Sequence, residues 1–309
     1  MPSAWVLSEA YAGLQAQAIG LAEAAGLAPE LRELKPLAPW RWLPAARWPA
    51  PLRAVRDSIR PPFPDIAIGC GGVAAAVGAA LRRPGLAVVQ VQNPRLNPRR
   101  FDLVVVNRHD EMTGPNVVVT RTALHRATPA RLAAGAEAWR ERLAHLPRPV
   151  VSVLVGGSNG RFRLDGPVAA RLAAQLAEMA RRDGVGIALT PSRRTDPAAI
   201  RALTDVLAPL GAWVWDGSGE NPYFGLLALA DAIVVTMDSV SMVSEAAATA
   251  APVLVAPLPG RSRRIGLFLE GLTRDGRIRP FDGRLETWAT APLDDTPLAA
   301  AEMRRRLGF

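Results

Sequence analysis

The sequence predicts an α/β protein made of two Rossmann-like domains whose parallel sheets face a central cleft. Short apolar runs recur without polar alternation, as strands buried on both faces require. Amphipathic stretches rich in Ala, Leu and Arg separate them, so strand and helix alternate. The 309 residues, 49% hydrophobic, suit two domains of roughly 150 residues, with enough apolar surface to offset the entropy of ordering.

Taken in order, Ala4–Leu7 reads as a strand and Gly13–Ala25 as the helix after it. Asp65–Ile68, Leu86–Val91, Leu103–Val106 and Val117–Val119 are further strands, with a helix over Gly72–Leu81. Leu132, Ala136, Trp139 and Leu143 mark the apolar face of a helix running to Leu146. Pro147-Arg148-Pro149 then breaks the chain, because proline lacks a donor and restricts its predecessor. The domain boundary is placed there, giving domains 1–147 and 148–309. In the second, Val150–Val155, Gly186–Thr190, Ala212–Trp215, Ala232–Val235 and Val253–Ala256 are strands. Helices fall at Pro167–Arg182, Pro197–Leu207, Pro222–Ala230 and Ser239–Ala250. A last helix, Pro297–Leu307, is expected to pack back across the boundary.

Composition narrows the function classes. Apolar runs stop well short of the about 20 residues of a spanning helix, and Met1–Leu7 lacks the basic stretch of a signal peptide. The single cysteine, Cys70, excludes an intrachain disulfide and reads as a small buried residue. The cytoplasm is the expected location. Residues 1–149 hold 19 Lys+Arg against 11 Asp+Glu, and residues 150–309 hold 18 against 17, so +8 of the net +9 lies in the first half. An anionic partner of that half is implied.

Residues 36–64 carry eight prolines, the tryptophans Trp40, Trp42 and Trp48, and five arginines. Indole beside guanidinium suits the lipid–water interface, which would put the protein on the inner face of the cytoplasmic membrane. The other reading is a proline-rich loop whose tryptophans pack on the domain. No nucleic-acid motif accompanies the basic residues, so nucleic acid is not expected as a partner.

Four successive strand ends in the second half carry polar groups. Gly156-Gly157-Ser158-Asn159-Gly160 follows one strand, a glycine turn whose amides can face a phosphate. It is neither the GxGxxG fingerprint nor a Walker A loop. Ser192 and Arg193 follow the next, and Asn221 and Tyr223 enter a helix. Thr236, Asp238, Ser239, Ser241, Met242 and Glu245 follow the fourth. An N-terminal cap explains Asp238 or Ser239 but not Ser241 and Glu245 as well. Glu245 can accept two hydroxyls, as a ribose presents. Because ligands of parallel sheets bind at carboxyl ends of strands, these groups form a candidate nucleotide site. Asn93 and Arg95 stand at a strand end of the first half. The histidines are His109, His125 and His145, and no His, Cys or Asp cluster has metal-ligand spacing.

The order of these segments, ending in ADAIVVTMDSVSMVSEAAATAAPVLVAPLPG, resembles the donor half of GT-B glycosyltransferases. It is most like the peptidoglycan N-acetylglucosaminyltransferase, with its GGSQG turn and SGALTVSE-like helix start. PDIAIGCGG (64–72), VVQVQNPR (88–95), FDLVVVNRHDEMTGPNVVVTRTALHR (101–126), GGSNGRFRLD (156–165) and GENPYFGLLALADAIVVTMDSVSMVSEAA (219–247) are more similar still to the elongated-mitochondria (ELM) family of mitochondrial fission proteins and their bacterial relatives. That resemblance implies a GT-B fold. It also implies a nucleotide-diphosphate sugar as co-substrate, with no cofactor and no metal, and an envelope or lipid-linked acceptor. The residue matching Glu245 holds the ribose and the glycine turn faces the diphosphate.

Relatives usually carry a DGK-x-GH-x-N-Q type stretch after the first strand. Gly13 and Gln17 match it and are assigned with Asn93 and Arg95 to the acceptor, but Leu14 stands where histidine is common. An inverting transferase needs a base for the acceptor hydroxyl. Leucine cannot serve, which leaves Glu9, His109 and Asp110. The plant members are organelle-division factors, so a non-catalytic adaptor on the same fold is the alternative.

Overall fold

A computed structural model describes residues 2–309 and divides them into two units. The first runs to Arg126 and takes in Asp294–Phe309; the second is Ala127–Leu293. The sequence reading, with domains 1–147 and 148–309, puts the boundary later, at the proline break.

In the first unit the elements are β1 (Ala4–Ser8), α1 (Ala12–Ala24), β2 (Pro29–Glu33), a short α2 (Pro51–Ala54), β3 (Ile66–Cys70), α3 (Gly72–Leu81), β4 (Ala87–Val91), β5 (Leu103–Asn107) and β6 (Val117–Thr120). They form one parallel sheet in the order β2-β1-β3-β4-β5-β6. Alternation along each strand feeds two cores. Ala4 and Val6 join Ile66, Ile68, Val89 and Val91 under α1, whereas Trp5 and Leu7 join Ala67, Val88 and Val104 under α3. The closing helix, Thr296–Leu307, seats Ala299, Ala300 and Met303 beside Ala18, Leu21 and Ala22 of α1.

The second unit contains α4 (Pro129–Leu143), β7 (Val150–Val155), α5 (Gly166–Asp183), β8 (Gly186–Pro191), α6 (Pro197–Leu207), β9 (Trp213–Val214), α7 (Tyr223–Leu229), β10 (Ala232–Thr236), α8 (Val240–Ala247), β11 (Val253–Ala256), α9 (Arg263–Arg274) and β12 (Ile278–Pro280). The closing helix is α10. The sheet is again parallel, ordered β12-β11-β10-β7-β8-β9. One face packs on α5 and α6, the other on α7, α8 and α9.

The shifted boundary has a local cause. Gly135 of α4 lies against the backbone of Phe224 and Gly225, and Gly225 lies against the Trp139 ring, so any Cβ at either glycine would collide. Trp139 also meets Trp213 edge to face, with centroids 5.5 Å apart. Helix α4 is therefore built into the second unit, ahead of the proline break. The strands β2 and β12, absent from the sequence reading, have little apolar signal: β2 is Pro-Glu-Leu-Arg-Glu on a sheet edge. Helix α9 is absent from it too, although Ile265, Phe268, Leu269 and Leu272 mark an apolar face.

Candidate functional site

In the second unit strand order reverses between β7 and β10, the switch point where open parallel sheets receive ligands at their carboxyl ends. Both strands end in the polar groups singled out above. The Gly156 amide donates to Thr236 Oγ1 (2.7 Å), which donates to Asp238 Oδ1 (2.7 Å). The Gly157 amide donates to Asp238 Oδ2 (3.1 Å), and Arg194 Nη2 donates to the same oxygen (3.0 Å). Thr195 Oγ1 donates to the Gly156 carbonyl (2.5 Å) and accepts from the Ser192 amide (2.9 Å).

This lattice corrects part of the sequence reading. The Gly156 and Gly157 amides are engaged inside the protein and do not face a diphosphate. Their lack of a side chain is explained by packing: a Cβ on Gly156 would strike the Asp238 carboxylate, and one on Gly157 the Arg194 carbonyl. Asp238, its side chain fully buried, has both oxygens occupied and does not stand open to a nucleoside. Thr236 is likewise buried. Ser192 turns back within its own loop, its Oγ accepting from the Arg194 amide (3.3 Å). Arg193 is exposed.

The open part of the glycine turn lies further on. Ser158, Asn159 and Gly160 are exposed. Asn159 Oδ1 accepts from the Arg161 and Phe162 amides (2.9 and 3.0 Å), and Ser158 Oγ from the Leu164 amide (2.9 Å), so the loop is preorganised. A cavity of about 560 Å³ opens against Asn159, Gly160, Arg161 and Ile265. Arg161 and Ile265 were missed in the sequence; Arg161 follows Gly160 directly, and that adjacency was the available signal.

Helix α8 starts at the same edge. Ser239 caps it, accepting from the Met242 amide (3.4 Å). Ser241 and Met242 are half-buried, Met242 against the apolar cluster under the sheet. Asn221 is spent on the start of α7, its Oδ1 accepting from the Tyr223 amide (3.0 Å). That places the Tyr223 hydroxyl to donate to Glu245 Oε2 at 2.6 Å. Burial pushes the Glu245 carboxyl up to about 7, against the lowering pull of Tyr223. Burial, with Glu245 adding to it, also holds the Tyr223 hydroxyl well above its usual range, so the tyrosine is the donor. The pairing of Tyr223 with Glu245 was not foreseen; the two residues are 22 apart on separate helices.

The first unit has its own switch point between β1 and β3. Glu9 follows β1, and burial raises its carboxyl above the ordinary value. Leu14 lies against Gly71, which starts α3 at φ 98°. Gly13 is half-buried in the first turn of α1. Gln17 is buried and accepts from Gln92 Nε2 (3.2 Å). Asn93 Oδ1 accepts from the Arg95 amide (2.9 Å), and Arg95 is exposed. His109 and Asp110 sit in a one-turn helix after β5 with side chains 1% and 4% exposed. Asp110 Oδ2 accepts from the Asn107 amide (3.3 Å). Their burial keeps both away from an acceptor hydroxyl, so of the three base candidates the structure leaves Glu9 within reach of solvent. Among the described residues, no group of three or more His, Cys, Asp or Glu side chains is placed to hold a metal ion.

The tryptophan-rich segment divides. Trp48 is buried and Trp40 packs beside it, centroids 6.3 Å apart. Trp42 alone of the three is exposed, at 67%, with Arg41 over its ring. Two of the three indoles thus serve the core and are not available to a membrane.

Two doubly wound parallel units with polar strand ends at the switch points define a GT-B glycosyltransferase-like fold. Solved structures agree at the level of fold. The UDP-GlcNAc 2-epimerase of Methanocaldococcus jannaschii, in complex with UDP-GlcNAc and UDP, is similar with TM-score 0.58 and 11% identity, over 99% of each chain. The glycosyltransferase SnogD of Streptomyces nogalater is similar with TM-score 0.56 and 15% identity, over 99% of this chain and 95% of that one. Within that class, the model of the family "Mitochondrial fission ELM1" matches residues 12–307, and the chain belongs to this family. The mitochondrial fission protein ELM1 of Arabidopsis thaliana is 33% identical over 274 residues, 79% of this chain. The match spans 64% of the Arabidopsis protein's length. No helix is long and apolar enough to cross a membrane among the described residues.

Proposed function

We propose that the second unit binds a nucleotide-diphosphate sugar and that the chain transfers the sugar, with inversion and without a metal, to a lipid-linked or envelope acceptor. The observation that carries the reading is the hydrogen bond from Tyr223, at the start of α7, to the buried Glu245 of α8 beside the switch point. A carboxylate there takes the two ribose hydroxyls in bidentate fashion, with Tyr223 holding its other side. Ser158, Asn159 and Gly160, with Arg161 and Arg193, line the path of the diphosphate, and the start of α8 adds its dipole. Ser241 and Met242 flank the nucleoside. The UDP-GlcNAc and UDP bound by the Methanocaldococcus epimerase support a nucleotide sugar as ligand. In transfer, Glu9 removes the acceptor hydroxyl proton as the oxygen attacks the anomeric carbon, and the nucleoside diphosphate leaves with the bond electrons. Gly13, Gln17, Asn93 and Arg95 belong to the acceptor side. Exposed Trp42 and Leu43 beside Arg41 favour an acceptor presented at a lipid surface.

A second reading, a non-catalytic adaptor on the same fold, is favoured by Leu14 and by the burial of His109 and Asp110. A thermal-shift panel of nucleoside diphosphates and nucleotide sugars tests the donor site. A ligand at 100 times its Kd adds about 2.7 kcal/mol, and Glu245→Ala should abolish the shift. Flat curves across the panel would sink the transferase reading and favour the adaptor. Release of nucleoside diphosphate in the presence of membrane lipid extract, lost in Glu9→Gln with the thermal shift retained, separates transferase from adaptor.

A further inference from the structure

At the amino-terminal end of the first unit's sheet, opposite the strand ends that carry Glu9 and Asn93, lies a cavity of about 930 Å³. Ile66 and Leu86 help to form an apolar floor, and four arginines, Arg82, Arg83, Arg99 and Arg100, stand around it. Two rigid turns deliver them. The first, after α3, is closed by the Leu86 amide donating to the Arg83 carbonyl (3.0 Å), with Gly85 at φ 80°. The second, Pro98–Arg100, is capped by Asn97, whose Oδ1 accepts from the Arg99 amide (3.0 Å), and held by Asn116 Nδ2 donating to the Pro98 carbonyl (2.8 Å). Arg82 ties the turns together: Nη1 donates to the Arg99 carbonyl (3.1 Å), while Nε and Nη2 reach Asp102 Oδ1 (3.0 and 2.8 Å).

Of the two aspartates on the wall, Asp102 pairs with Arg82, while Asp65 stays charged and bonds to Ser3. Asp102 Oδ2 accepts from the Val88 amide (2.7 Å), and Asp65 Oδ2 accepts from the Ser3 amide and hydroxyl (2.7 and 2.8 Å). Among the described residues, Arg83, Arg99 and Arg100 have no carboxylate partner. Arg83 lies over the Phe63 ring at 4.3 Å, which keeps its guanidinium edge open. Three guanidinium groups without an ion-pair partner, on preorganised turns around a recess of ligand size, leave the lining net positive even with Asp65 and match a dianionic oxyanion better than a carboxylate or a neutral solute.

We propose that this cavity is a phosphate-monoester site, with Arg83, Arg99 and Arg100 as its ligands. The same chemistry is offered by a soluble phosphate ester and by the headgroup of phosphatidic acid. The whole chain is titrated calorimetrically with glycerol 3-phosphate, and co-sedimented with phosphatidylcholine vesicles with and without phosphatidic acid. Binding in the first arm assigns a free ester, and binding in the second alone assigns the lipid. In either arm the double variant Arg99→Gln, Arg100→Gln, whose side chains are exposed, should weaken binding roughly tenfold or more, and Arg83→Gln should weaken it independently. Glu245→Ala should leave it unchanged, which separates this site from the nucleotide-sugar site. No saturable binding in either arm, or binding in the double variant equal to that of the parent chain, overturns the proposal.

Discussion

At the scale of single residues, Glu245 and Gly157 of the second unit are held most tightly by their surroundings, the one by burial and the other by the Arg194 carbonyl. The native state holds the Glu245 proton more tightly than the unfolded chain does, since burial lifts its carboxyl from 4.5 to about 7. The stability it contributes is therefore full below about pH 4.5 and lost as pH rises through about 7. Denaturant titrations between these limits should show stability falling by on the order of 3 kcal/mol, and Glu245→Gln should flatten the slope. If ribose hydroxyls bind the carboxylate, affinity for the nucleotide runs the opposite way and tightens as pH rises through about 7. Titration calorimetry across that range reads the sign directly. For Gly157→Ala, the added methyl meets the Arg194 carbonyl rather than a movable side chain. A loss of about 1–3 kcal/mol is expected in equilibrium unfolding. Sequence patterning found both residues, but it could not tell a ligand-facing amide from one already bonded to Asp238.

At the scale of elements, α8 depends on a residue from far along the chain. Arg277 is 3% exposed, and its Nε and Nη2 donate to the carbonyls of Ala247, Ala246, Thr249 and Ala251 at 2.9, 3.2, 2.7 and 3.1 Å. Ala246 and Ala247 lie in the last turn of α8, whose carbonyls lack partners within the helix, and a guanidinium also complements the dipole there. Burial pulls Arg277 down to about 10, so it stays charged at neutral pH. Arg277→Met should cost about 3 kcal/mol, and hydrogen exchange should quicken at the amides of Val243–Ala247 before it does in β7. Most elements were legible: strands buried on both faces are apolar throughout, so Val150–Val155 and Val253–Ala256 match the sequence reading at both ends, as do the helices Gly72–Leu81 and Pro197–Leu207. The edge strand β2 was not, since an exposed charged strand is stabilised by its neighbour's backbone and leaves no hydrophobic trace.

At the scale of the whole molecule, the chain leaves the first unit after Arg126 and returns to it at Asp294. The return is fastened by Arg121, whose Nη2 reaches Asp295 Oδ1 at 2.5 Å, and by the His125 amide donating to Thr296 Oγ1 at 3.3 Å. Met303 then fills the core under α1. Met303→Ala should cost about 3 kcal/mol, with faster hydrogen exchange in β1 and β3 and none of that change in β8. The sequence by itself determined the alternation of apolar strands and helices, hence two doubly wound sheets. It also determined the positions of the polar strand ends, because both follow from local periodicity and composition. Only the tertiary structure decided that α4 joins the second unit, that Asp238 serves the glycine turn, and that Tyr223 meets Glu245. Those outcomes rest on close approach between segments distant in the chain, where the space left by a missing Cβ or the last free lone pair selects the partner.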